Sequence, residues 1–133
     1  MGEKACLDVA IGVLRRKNEV LISQRRADAV LPGLWEFPGG KCHDAEPSGL
    51  ALRRELDEEL GILVQEAKLE LSLWHRYSHA DIMLHIYSVS QFSGVPKGVE
   101  GQPVRWVEVD ELGQYRFPEG NDVILSALES HIF

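Results

Sequence analysis

Residues Gly40 to Ile62 read GKCHDAEPSGLALRRELDEELGI. Pro47 suits a first helical turn and Gly61 stands just past a last one, so Pro47 to Leu60 reads as a helix. Counted from Leu50 at 100° per residue, Leu52, Leu56 and Leu60 fall at about 200°, 240° and 280°, one stripe that has to be buried. Glu55, Glu58 and Glu59 fall at about 140°, 80° and 180°, along the border of that stripe. Arg53 and Asp57 point to water. Ala51, near 100° on the glutamate side, is small enough to leave room for ions there. A helix with one apolar face needs a sheet to cover, and the flanking sequence supplies it.

Upstream, Ala5 to Leu14 (ACLDVAIGVL) is an apolar run rich in β-branched residues and reads as a buried strand. Lys17-Asn18-Glu19 turns the chain, and Val20 to Ser23 returns as a second strand. Arg25 to Trp35 carries Pro, Gly and small residues and reads as an ordered surface loop. Glu36 to Lys41 is a short strand running into a glycine turn. Downstream, Leu69 to Tyr77 and Ile82 to Phe92 read as two long strands, and Trp106 to Val109 as another. A short turn follows at Asp110 to Gly113. Asn121 to Ile132 closes as an amphipathic helix carrying Val123, Ile124, Leu125 and Leu128. The order β-β-β-α-β-β-β-α predicts an α+β fold, an α/β/α sandwich with a mixed β-sheet flanked by two main helices. No repeat or linker divides the chain, and residues 1–133 are expected to form a single domain.

Fourteen basic against twenty-one acidic residues leave a net charge of −7. That argues against duplex DNA or an anionic membrane as partner. It does not argue against nucleotides, because a bound divalent cation inverts the local field. No stretch approaches the roughly 18 apolar residues of a membrane span, and the first residues carry no signal-peptide pattern. Cys6 and Cys42 have no CxxC spacing and read as reduced thiols, so a cytoplasmic location is expected.

The carboxylate row has a purely structural alternative, a solvated helix face with salt bridges. Arg54–Glu58 and Arg53–Asp57 at i,i+4 are worth about 0.2–0.5 kcal/mol each. Glu55 and Glu59, however, repel one another at the same spacing, and a structural helix gains nothing from that. Divalent cations reverse the sign of the interaction. Mg²⁺ prefers oxygen ligands, a few carboxylates plus water and substrate phosphates.

The segment resembles the Nudix box, the signature of hydrolases that cleave nucleoside diphosphates linked to another group. Gly40, Glu46, Arg54, Glu55, Leu56, Glu58, Glu59, Gly61 and Ile62 meet every position of that pattern without a gap. At ordinary residue usage chance produces such a match roughly once in 10⁸–10¹⁰ starting positions. The resemblance implies the Nudix fold, with Glu55, Glu58 and Glu59 as metal ligands joined by the carbonyl of Gly39. It implies that Glu55 also orients or deprotonates the attacking water. Arg54 belongs to the same catalytic set by holding Glu55 and pairing with Glu46. The cofactor implied is Mg²⁺, with Mn²⁺ as the alternative.

Beyond the box, nearly the whole chain resembles the MutT subfamily of sanitising nucleoside triphosphatases. Leu34 to Lys41 (LWEFPGGK) is similar to that group's approach to the box, and Lys41 is expected at the nucleotide. Glu100-Gly101-Gln102-Pro103 resembles its later loop, whose glutamate supplies a further metal ligand. Arg25 matches an arginine that closes over the nucleotide, and the backbone near Ala80 aligns with a base-contacting stretch. There His79-Ala80-Asp81 departs in residue type from the subfamily. Phe117 to Asn121 (FPEGN) resembles the segment whose asparagine contacts the base.

For Asn121 the structural reading is a helix N-cap, and the functional reading follows from base chemistry. Oxidised guanine offers an N7–H donor and an O6 acceptor, which one amide can satisfy together. Ordinary guanine presents a bare N7 to the amide oxygen, and an unpaired buried polar group costs about 1–3 kcal/mol. The implied activity is hydrolysis of 8-oxo-dGTP, and more slowly dGTP, to the monophosphate and pyrophosphate, which keeps oxidised guanine out of DNA. The rival enzyme reading is a CTP or modified-pyrimidine triphosphate pyrophosphohydrolase. A non-catalytic module recognising oxidised guanine is the rival of another class, and such modules lose box glutamates that this chain keeps. A nucleoside triphosphate is the expected partner, with no nucleic-acid polymer and no membrane, and the expected state is a monomer, with a homodimer as the alternative. His75, His79 and His85 match no zinc-ligand spacing. Trp35, Trp74 and Trp106 read as packing residues.

Overall fold

A computed structural model of the chain describes residues 5–28, 33–78 and 80–130. The elements are β1 (Ala5–Arg16), β2 (Glu19–Gln24), β3 (Trp35–Glu36), β4 (Gly39–Lys41), α1 (Ser48–Leu60), β5 (Leu63–Arg76), β6 (Ala80–Ser93), β7 (Val104–Glu108), a 3₁₀ turn over Val109–Gln114, and α2 (Asp122–Glu129). The strands form one mixed sheet in the order β3-β2-β1-β6-β5, with β4 beside β1 and β7 beside β2. Among the described residues only β1 and β6 run parallel, paired from Ala5↔Ala80 to Leu14↔Val89.

Alternation along β1 divides the core in two. Val9, Ile11 and Val13 face a layer completed by Ile124 and Leu128 of α2. Ala10 and Leu14 face a layer completed by Leu52, Leu56 and Leu60 of α1. The sheet is therefore flanked by two helices, as the α+β sandwich reading requires. Gly12 lets α1 come close, since a Cβ there would stand 3.0 Å from Leu52 and 3.1 Å from Leu56. Gly61 ends the helix at φ 70°, its N–H bonded to the carbonyl of Asp57.

Several boundaries differ from the sequence reading. The expected strand at Glu36 to Lys41 is two strands with different partners. Trp35–Glu36 pairs with β2, whereas Gly39–Lys41 pairs with Val9–Ile11 of β1. A Cβ at Gly39 would collide with the carbonyl of Ala10, so only glycine allows that pairing. β5 begins at Leu63 rather than Leu69, because register shifts near Val64, Glu66 and Leu69 break the alternation that marks a strand. Ala51 is fully buried under α1 rather than beside open space. Trp74 is 45% exposed on the sheet surface with Arg76 over its ring, so it is not a core residue. Trp35 and Trp106 do pack, against Tyr115 and Phe92. The closing helix is described to Glu129, and residues 131–133 lie outside the described residues, as does His79. Among the described residues no helix is long and apolar enough to cross a membrane.

Candidate active site

β1 shares one edge between two partners, β4 at Val9–Ile11 and β2 at Arg15–Arg16. Between them the chain leaves the sheet at Phe37-Pro38, tied back by the Gly12 N–H to the Pro38 carbonyl at 2.9 Å. α1 lies against this fork, and its glutamates meet the glycines there. A Cβ at Gly40 would collide with the Glu55 carboxylate. The Gly39 N–H donates to Glu59 Oε2 at 3.1 Å.

Arg54 organises the helix end of the site. It donates two bonds of 3.0 Å to Glu46, one of 2.9 Å to Glu55 Oε1, and one of 3.0 Å to the Lys41 carbonyl. The guanidinium and the His43 N–H hold the Glu46 carboxyl down at about 2. Glu58 extends into solvent with Arg54 at 3.5 Å, the expected i,i+4 contact. Arg53 does not use Asp57 in the expected way and instead donates to the carbonyl of Gly49.

Glu59 is the outlier. Burial, followed by the charges of Glu55, Glu36 and Glu100, pushes its carboxyl up to about 8, against the pull of the Gly39 N–H. Among the described residues no three carboxylate, imidazole or thiol groups converge closely enough to hold one metal ion. Glu55 and Glu58 are both engaged by Arg54 instead. The donor set nevertheless fits a hard divalent cation. It consists of carboxylate oxygens in negative surplus, one of them buried where its ionised form is disfavoured without a counter-charge.

Two cavities meet at this place. The first, about 220 Å³, is lined by Arg25, Arg26, Glu36, Glu59, Glu100 and Gln102. The second, about 270 Å³, is lined by Val9, Ile11, Phe37, Lys41 and Asn121, and also by Gly39 and Gly40. Arg25 and Glu36 line both, joined at 2.9 Å. Burial pushes the Glu36 carboxyl up, and Arg25 opposes that. The fork thus places a carboxylate-lined compartment beside an apolar one that has an amide in its wall.

Most residues singled out from sequence come together here: Gly39, Lys41, Arg54, Glu55, Glu59, Glu100, Arg25 and Asn121. Asn121 stands at the N-cap position of α2, but only its backbone carbonyl serves the helix, accepting from Ile124 and Leu125. Its side chain makes no cap bond, and its Nδ2 reaches the Pro118 carbonyl at 3.4 Å. Ala80 is not among the residues lining either cavity. It is buried at the start of β6, and its carbonyl accepts from Tyr77. His85 bonds Asp8 and Ser72 across the sheet, and His75 packs on Tyr77. Burial and nearby Asp8 raise the Cys42 thiol, which suits an unreactive cysteine. Sequence reasoning missed Glu36, Arg26 and Gln102 as parts of the site. A charge set between Trp35 and Phe37 was the available signal for Glu36.

Residues 9–127 match the family model described as NUDIX domain. An 8-oxo-dGTP diphosphatase of Escherichia coli is 36% identical over 124 residues, covering 92% of this chain and 96% of that protein. A CTP pyrophosphohydrolase of the same organism is 34% identical over 121 residues, covering 91% and 90%. Among solved structures, one from a study of MutT from Aliivibrio salmonicida and Vibrio cholerae superposes with a TM-score of 0.81 at 32% identity, covering 95% of this chain and 98% of that one. A complete glutamate box, the fork that presents it and a family match over almost the full length agree: this chain belongs to the Nudix hydrolase family.

Proposed function

We propose that this chain is a Mg²⁺-dependent nucleoside triphosphate pyrophosphohydrolase of MutT type that converts 8-oxo-dGTP to 8-oxo-dGMP and pyrophosphate. The observation that carries the reading is Asn121, whose amide is spared from capping α2 and stands in the wall of the apolar compartment. The neighbouring compartment holds Glu59 and Glu100, so one nucleotide can span base recognition and phosphate chemistry. Glu55, Glu58, Glu59, Glu100 and the Gly39 carbonyl would hold the cation. When bound, it neutralises phosphate charge and makes water a competent nucleophile near neutral pH. Glu55 takes the proton of the attacking water, and Arg54 keeps that carboxylate aimed at the glycine turn. The water oxygen bonds to the β-phosphorus as the bond from that phosphorus to the α–β bridging oxygen breaks. Arg25, steadied by Glu36, contacts the phosphate chain between the two compartments. Val9, Ile11 and Phe37 form the apolar bed for the base.

A second reading, a CTP or modified-pyrimidine triphosphate pyrophosphohydrolase, is favoured by the 34% identical CTP pyrophosphohydrolase. One experiment separates the two. kcat/KM is measured for 8-oxo-dGTP, dGTP, CTP and 5-methyl-dCTP with Mg²⁺, on the parent chain and on Asn121→Ala. The expected result is 8-oxo-dGTP first, with the preference over dGTP falling on the order of 10–100-fold in the variant. A pyrimidine at the head of the panel moves the assignment to the second reading. An unchanged purine preference in Asn121→Ala removes Asn121 from it.

A further inference from the structure

A helix ends with four backbone carbonyls that lack intrahelical partners. In α1 the loop ahead of β7 takes two of them. The Lys97 N–H bonds the Leu60 carbonyl at 3.1 Å, and the Val99 N–H bonds the Glu59 carbonyl at 3.1 Å. The Glu59 carbonyl has a second partner, Gln102 Nε2 at 2.9 Å. The other end of the same amide, Gln102 Oε1, accepts the Glu100 N–H at 3.0 Å. Both partners are backbone groups of fixed polarity. A carbonyl requires the NH₂ and an N–H requires the oxygen, so the amide can sit only one way round. The loop is shaped for this contact. A Cβ at Gly98 would collide with the Gln102 carbonyl, and Gly101 has φ +86°. Arg26 secures the opposite side, donating to the Glu100 carbonyl at 2.9 Å.

We propose that Gln102 is a positioning residue for the divalent-cation site, its amide setting the spacing between Glu59 and Glu100 by locking their backbones into one hydrogen-bonded unit. This rests on the reading of Glu59 and Glu100 as cation ligands. Gln102 acts through those two residues and needs no contact with ion or substrate. The requirement is for an amide in particular. A glutamate of the same shape accepts from Glu100 but has no proton for the Glu59 carbonyl, and alanine loses both bonds.

The test titrates Mn²⁺ alone into the full chain and follows free Mn²⁺ by electron paramagnetic resonance. The variants are Gln102→Ala, Gln102→Glu, Glu100→Gln and the double variant Glu100→Gln/Gln102→Ala, each checked for folding by circular dichroism. Glu100→Gln is expected to weaken Mn²⁺ binding. Gln102→Ala and Gln102→Glu are each expected to raise the Kd about 10-fold or more. The double variant should bind little worse than Glu100→Gln alone, because the two changes act through one unit. Turnover of Gln102→Ala should need about 10-fold or more metal for half-saturation than turnover of the parent chain. If both folded Gln102 variants bind Mn²⁺ like the parent while Glu100→Gln does not, the positioning role is overturned and the ligand reading stands. If Glu100→Gln itself binds like the parent, the ligand reading falls and takes the positioning role with it.

Discussion

At the scale of single residues, Arg54 and Glu59 explain why the box has so many carboxylates and so little slack. Arg54 is shared by Glu46, Glu55 and the Lys41 carbonyl, so one guanidinium joins the loop before α1 to the helix itself. Among the described residues no guanidinium pairs with Glu59. Its backbone partner Gly39 leaves the buried charge incompletely compensated. Glu55→Gln and Glu58→Gln keep size and lose charge, so the fold should persist while kcat falls about 10²–10⁴-fold. Paired circular dichroism and steady-state rates check this. Glu58 is the sharper case, because its side chain is 56% exposed and leans on Arg54. Near-parent turnover in Glu58→Gln would take it out of the ligand set. The box pattern displays these glutamates openly in sequence. Their unequal burial it does not, since that depends on what covers each one.

At the scale of elements, the critical contact is β4 against α1. Two glycines lie between the sheet edge and the glutamate face, and each excludes a side chain for a different reason. Gly39 faces the backbone of β1, and Gly40 faces the Glu55 carboxylate. Gly40→Ala should therefore spare the leucine stripe and displace Glu55. A misplacement near 1 Å is enough to lower kcat by about 10²-fold, with a melting temperature close to the parent value. A rate within a few-fold of the parent would show that Glu55 can retreat without consequence. The helix was legible from periodicity and its proline and glycine stops because those signals are local. β4 was not legible. Three residues containing two glycines carry no strand propensity, and only their pairing with Val9–Ile11 makes them a strand.

At the scale of the whole molecule, the carboxylates should make stability depend on pH and on metal. The Glu59 carboxyl titrates higher in the folded chain than its ordinary 4.5. Its contribution is fully present below that value and is lost as pH rises through about 8. Glu46 has the opposite sign, contributing above 4.5 and losing that contribution as pH falls toward about 2. The metal-free chain should accordingly melt at progressively lower temperature as pH is raised from about 6 to about 9, and saturating Mg²⁺ should flatten that slope. A metal-free melting temperature that climbs over the same range would contradict the burial of Glu59. By itself the sequence determined the helix, its leucine stripe, most of the strands around it and the family chemistry, because periodicity and a fixed motif are written over short spans. Only the tertiary structure decided that Arg25 and Glu36 divide the site in two, that Asn121 is released from capping, and that Gln102 binds Glu100 to the end of α1. Each of those depends on segments far apart in the chain meeting at one fork in the sheet. That meeting is set by strand register and loop closure, which no local pattern records.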